Sequence, residues 1–164
     1  MPRRAADMRA RALAGLLAVA ALWPAGRAWA LEPIESFPRT MVDVRTHAGH
    51  QWFDTAVADT YERAEQGLMF VRRLPADQAM LFPQDSLQVA SMWMKNTLIP
   101  LDMLFIDGHG RIACLLANLP PLTLDIRTCP TPVAAVLEIG GGEAAGRGIR
   151  VGDRVQYRLS PAGP

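Results

Sequence analysis

The chain has 164 residues, half of them hydrophobic, with 17 basic and 16 acidic side chains and a net charge of +1. Met1–Ala30 takes five arginines and one aspartate, leaving 12 basic and 15 acidic residues and a net charge of −3 beyond it. That balance argues against a basic nucleic-acid surface, and the remaining length suits one domain with its own core.

Arg3, Arg4, Arg9 and Arg11 precede an apolar run, Ala12–Leu22, that is too short to span a bilayer. Ala28-Trp29-Ala30 follows as an A-x-A cleavage site, so residues 1–30 read as a signal peptide and the mature chain begins at Leu31. An uncleaved anchor is the alternative. No cysteine marks a lipoprotein, and the residues after Arg3-Arg4 depart from the twin-arginine pattern. The expectation is an exported protein, periplasmic or secreted, with no transmembrane span after cleavage. Cys114 and Cys129 are the only cysteines. An oxidising compartment permits a disulfide between them, while the apolar setting of Cys114 equally suits a buried thiol. No CxxC supports a thioredoxin-like role.

In chain order, residues 31–40 hold prolines and read as a loose N-terminal segment. Strands are expected over 41–45 and 51–58, joined by a turn at His47–His50. Asp59-Thr60-Tyr61-Glu62 resembles a capping box, predicting a helix from Thr60 to about Gln66 that stops at Gly67. A strand over 79–82 ends at the turn Pro83–Ser86. Strands at 91–95 and 103–106 follow, with Asp107-Gly108 as a turn. Another strand spans 111–117. Residues 119–132 carry four prolines and read as an extended loop. Strands over 133–139 and 154–159 flank Gly140–Gly142 and one helical turn after Glu143. Many short strands and one clear helix predict a single mainly β (α+β) domain over 41–160, a curled antiparallel-rich sheet or small barrel.

The stretch from Trp93 to Asp102 is the candidate site. It holds Lys95, the chain's only lysine, and places Asp102 beside an apolar run. Side chains alternate along a strand. If Asn96–Leu101 is a hairpin loop, Lys95 stands opposite Asp102 and Trp93 opposite Leu104, so Lys95 and Asp102 are expected to touch. Such a pair either closes the hairpin or holds a lysine ready for an anionic group. Asn96 and Thr97 would then supply hydrogen bonds and Trp93 an apolar wall.

Other motifs fall short. Gly141–Gly148 reads GGEAAGRG and lacks the lysine and hydroxyl of a phosphate loop. Met92 and Met94 suit Cu(I) if both sulfurs reach one cavity, and suit an apolar core equally. His47 and His50 have no third ligand nearby in sequence. There is no GxSxG and no HExxH.

An ordered series of motifs carries a family resemblance. It comprises Val57-Ala58-Asp59-Thr60, Gly67-Leu68-Met69-Phe70, Met80-Leu81-Phe82, Trp93-Met94-Lys95-Asn96-Thr97, Ile99-Pro100-Leu101-Asp102, Phe105-Ile106-Asp107, Val136-Leu137-Glu138-Ile139 and Gly152-Asp153. Together they resemble the domain-of-unknown-function family number 192. The resemblance implies a compact, strand-rich domain, usually exported or membrane-linked, and implies no activity. Where that family usually has an aromatic residue, this chain has Met92.

The expected function is therefore an exported, monomeric, non-enzymatic envelope module without a cofactor or resident metal. It would bind a small molecule, a saccharide or an envelope protein through Trp93, Lys95, Asn96, Thr97 and Asp102. The alternatives are an envelope hydrolase, with Asp102 as base and Lys95 as stabiliser, and a Cu(I) handler using Met92 and Met94.

Overall fold

Alternating edge segments and near-continuous apolar runs such as Leu101–Asp107 and Val133–Gly140 form nine strands, with two short α-helices, in the computed structural model, which describes residues 31–159. The signal peptide expected over Met1–Ala30 lies outside them. The strands are β1 (Arg39–Thr46), β2 (Gly49–Val57), β3 (Gln78–Gln88), β4 (Ser91–Met92), β5 (Leu101–Asp107), β6 (Ile112–Leu119), β7 (Arg127–Thr128), β8 (Val133–Gly140) and β9 (Arg154–Gln156). The helices are α1 (Tyr61–Gln66) and α2 (Glu143–Gly146). No helix among the described residues is long and apolar enough to cross a membrane.

Seven strands form one sheet in the order β6-β5-β8-β3-β2-β1-β9, and β4 and β7 pair separately. All neighbours in the large sheet are antiparallel except β2 and β3. The sheet curls into a half-barrel whose edges meet at a bridge between Arg111 and Arg154. The domain is mainly β, as expected.

Strand alternation divides the apolar residues between two cores. Val42, Val44, Phe53, Leu81, Leu104, Ile106, Leu137, Ile139 and Val155 fill the barrel. Ala56, Met80, Phe82, Met103, Phe105 and Val136 face outward and pack with Phe37, Leu68, Ala90, Met94 and Cys129. Cys114 and Cys129 are disulfide-bonded, tying β6 to the segment after β7. Closing a 15-residue separation stabilises the fold by about 3 kcal/mol in the chain-entropy view.

Several expectations change. The Trp93–Asp102 stretch is not a hairpin: β4 pairs with β7, whereas β5 pairs with β6 and β8. The stretch ends its strand at Met92 because Met94 turns into the outer core, fully buried. β3 runs on through Pro83–Ser86, absorbing the proline in an irregularity of its pairing with β8. Residues 31–40 are anchored rather than loose. Phe37 is buried, the Glu32 N–H donates to Gln66 Oε1 at 2.8 Å, and Arg63 pairs with Glu32 at 2.8 Å. The cap of α1 is Thr60, whose hydroxyl accepts from the Arg63 N–H at 3.2 Å. Asp59 instead pairs with the Arg63 guanidinium at 2.7 Å.

Candidate functional site

Along β8, Ala135, Leu137 and Ile139 enter the barrel, so Val136 and Glu138 face the outer core. Pairing sets Glu138 beside Met80 on β3 and Met103 on β5. A carboxyl thus stands on an apolar face with 3 % of its residue surface exposed. It has no hydrogen bond or ion pair among the described residues. Loss of hydration disfavours its charged form and pushes the Glu138 carboxyl up to about 8. At neutral pH it is chiefly a neutral acid, with an O–H to donate.

Glu138 lines a cavity of about 20 Å³, the size of a single water. Trp93, Lys95 and Thr97 line it too, with Met92 and Glu65. Trp93 is 37 % exposed at its rim. The Lys95 ammonium sits 5.6 Å from the Trp93 ring centroid, in cation–π range. Thr97 is buried and its hydroxyl lies 3.4 Å from the Lys95 carbonyl.

Three of the five expected site residues therefore share one cavity. Asn96 instead shapes the turn beneath them. It adopts a positive φ of 56°, its carbonyl accepts from the Phe70 N–H at 2.9 Å, and its amide lies 3.6 Å from the Met69 sulfur. Asparagine tolerates that left-handed conformation better than most residues.

Asp102 belongs elsewhere. It pairs with Ile139 and, with Leu104 and Ile106, faces the barrel interior. Its carboxylate accepts three backbone N–H bonds, from Asn118 at 2.6 Å, Gly142 at 3.0 Å and Ala144 at 2.8 Å. The last two are orphan donors at the start of α2. The expected Lys95–Asp102 contact does not form, because the sheet lies between the two side chains and backbone donors already satisfy the buried carboxylate. A hydrolase with Asp102 as base and Lys95 as stabiliser loses its geometry for the same reason.

The copper arrangement fares no better. Met92 lines the cavity, but Met94 is packed in the outer core and does not. No group of three or more His, Cys, Asp or Glu among the described residues is placed to hold a metal. His50 lies 3.0 Å from Asp43, and His47 packs near Gly148.

Sequence reasoning passed over Glu138. Its signal was the one that singled out Asp102: an acid in an apolar strand, here Val133-Ala134-Ala135-Val136-Leu137-Glu138-Ile139.

The chain matches a known family whose description names no chemistry. The family DUF192, described as "Uncharacterized ACR", matches residues 43–157. A solved structure from Sinorhizobium meliloti 1021, described as a "putative transcription regulator", is 36% identical with a TM-score of 0.72, covering 74% of this chain and 95% of that one. A protein of unknown function from Novosphingobium aromaticivorans DSM 12444 is 35% identical with a TM-score of 0.74, covering 77% of this chain and 91% of its own. No functionally curated protein matches. With a match that takes in eight of the nine strands whole and part of β1, the chain belongs to the DUF192 family.

Proposed function

We propose that this protein is an exported, monomeric, non-enzymatic module of the cell envelope that binds a small polar or saccharide-like ligand at the pit beneath Trp93. One observation carries the reading: Glu138 is a buried carboxyl without a partner among the described residues, in a cavity that an indole and the chain's only lysine also line. Leaving such a group unpaired costs free energy, and such sites concentrate at functional surfaces. A pit of about 20 Å³ admits one hydroxyl or water-sized group. The rest of the ligand would lie on Trp93 and Lys95 outside.

Export is supported by the composition of Met1–Ala30 and by a disulfide that an oxidising compartment would preserve. The description of the Sinorhizobium protein as a transcription regulator would imply nucleic-acid binding. A net charge of −3 beyond Ala30 gives such a surface little electrostatic drive.

The test compares native and denaturing mass spectra of protein exported to its own envelope and gently purified. A retained mass present only in the native spectrum, and lost in Lys95→Ala and Glu138→Gln, is the expected result. A retained mass that survives both substitutions would move the site elsewhere. With no retained mass, an envelope protein would replace the small ligand as the partner to seek. The denatured mass also reads whether the chain starts at Leu31.

A further inference from the structure

A second cavity, of about 780 Å³, is lined by β1, β9 and the β5–β6 turn and shares no residue with the Glu138 pit. Its volume lies in the range of small-molecule sites. Strand register builds one wall. Trp52, Asp43 and Gln156 stand in one row across β2, β1 and β9, and His50, Arg45 and Arg154 stand in the next. Val42, Val44, Phe53 and Val155 take the inward positions, so these two rows face out.

The charges in this wall are not equally committed. Asp43 is buried and held by Arg45 Nε at 3.1 Å and His50 Nδ1 at 3.0 Å. Arg45 also donates to Gln156 Oε1 at 2.7 Å. Asp107, on the opposite wall, accepts the backbone N–H groups of His109 at 2.8 Å and Arg111 at 2.9 Å. Both groove carboxylates are thus satisfied. The guanidinium groups of Arg154 and Arg158 have no hydrogen bond or ion pair among the described residues, although both line the groove. Trp52, on β2 across β1 from β9, lines the same groove and is 53 % exposed. The chemistry left for a ligand is two planar, permanently cationic forks and an exposed indole that stacks on His50 with ring centroids 6.0 Å apart. Guanidinium forks match carboxylate and phosphate oxygens, and an indole offers a flat surface for a ring.

We propose that this groove binds a small anionic saccharide unit, with its carboxylate or phosphate on Arg154 and Arg158 and its sugar ring against Trp52. The site is independent of the Glu138 pit.

The test follows the indole N–H resonance of Trp52 in 15N-labelled full-length protein, assigned by its loss in Trp52→Phe. Glucuronic acid, glucose 1-phosphate, glucose and inorganic phosphate are titrated at fixed ionic strength. Saturable shifts with the two acidic sugars are expected, at least tenfold weaker in Arg154→Gln/Arg158→Gln and absent with glucose. The backbone spectrum of that double variant verifies that it remains folded. No saturable shift with either acidic sugar overturns the proposal. So does glucose binding as tightly, or acidic-sugar binding undiminished in the folded double variant. Inorganic phosphate binding as tightly as glucose 1-phosphate overturns the role given to the ring. Replacing Trp52 by Leu, followed by calorimetry, checks that role directly: acidic-sugar affinity should fall while phosphate affinity stays.

Discussion

Asp102 and Glu138 lie one register step apart on neighbouring strands, yet their carboxyls face opposite sides of the sheet. Asp102 pairs with Ile139, and Glu138 with Met103. The first carboxyl meets three backbone donors inside the barrel, and the second meets apolar side chains and a water-sized cavity. Two acids, each in an apolar strand, therefore take different roles: one closes an end of the barrel and the other is left open to a ligand.

Glu138 makes stability depend on pH. Its folded value of about 8 lies above the ordinary 4.5, so the folded state keeps a proton that the unfolded chain has released. Stability from this group is fully present below about pH 4.5 and is lost as pH rises to about 8, then levels off. Glu138→Gln should erase that slope. In urea titrations the variant should match the parent near pH 4 and exceed it at pH 8, by on the order of a few kcal/mol. Equal midpoints at both pH values would mean that the carboxyl is hydrated.

Asp102→Ala removes the acceptor of three backbone N–H groups while leaving the Trp93 pit intact. The expected loss is at least about 2 kcal/mol, because buried donors are left unpaired. Asp102→Asn keeps one acceptor oxygen and should lose less. Denaturant midpoints give both values. Ligand retention at the pit should be unchanged in the folded Asn variant.

Reducing the Cys114–Cys129 bond, or replacing both residues by serine, should cost about 3 kcal/mol. Thermal unfolding with and without reductant measures it. An unchanged midpoint would mean that the outer core holds the segment after β7 without the covalent tie.

Gly141 separates steric from conformational effects. A Cβ there would meet Pro100 Cβ at 2.8 Å, the Pro100 carbonyl carbon at 2.9 Å and Asn118 Oδ1 at 3.0 Å. At Gly146, inside α2, a Cβ meets nothing within 4 Å. Gly141→Ala should destabilise by about 1–3 kcal/mol, as overpacking does. Gly146→Ala should be neutral or stabilise by a few tenths of a kcal/mol, reflecting helix propensity. Paired denaturation curves read the difference.

Much of the chain's local order was legible in advance. Alternation in residues 41–45 and the apolar runs at 103–106 and 133–139 located β1, β5 and β8, the strand expected over 51–58 matched β2, the Asp107-Gly108 turn divided β5 from β6, and Gly67 ended α1. The motifs that run from Val57 to Asp153 sufficed for the family. These features depend on neighbours in sequence: pleat period, turn chemistry and helix stop signals.

Strand partners and the face of each side chain were decided only in three dimensions. Alternation says that Asp102 and Leu104 share a face. It does not say whether that face meets Lys95 or the start of α2, forty residues away. Placing Lys95 opposite Asp102 assumed that sequence neighbours pair, whereas β5 found β6 and the distant β8. Long-range pairing follows the total apolar area that can be buried, and burying Met94 in the outer core ended the strand before Lys95. The same pairing left Glu138 without a donor among the described residues and placed Arg154, Arg158 and Trp52 around one groove. Sequence thus specified the elements and the family, and non-local burial decided which charges were satisfied and which were left open.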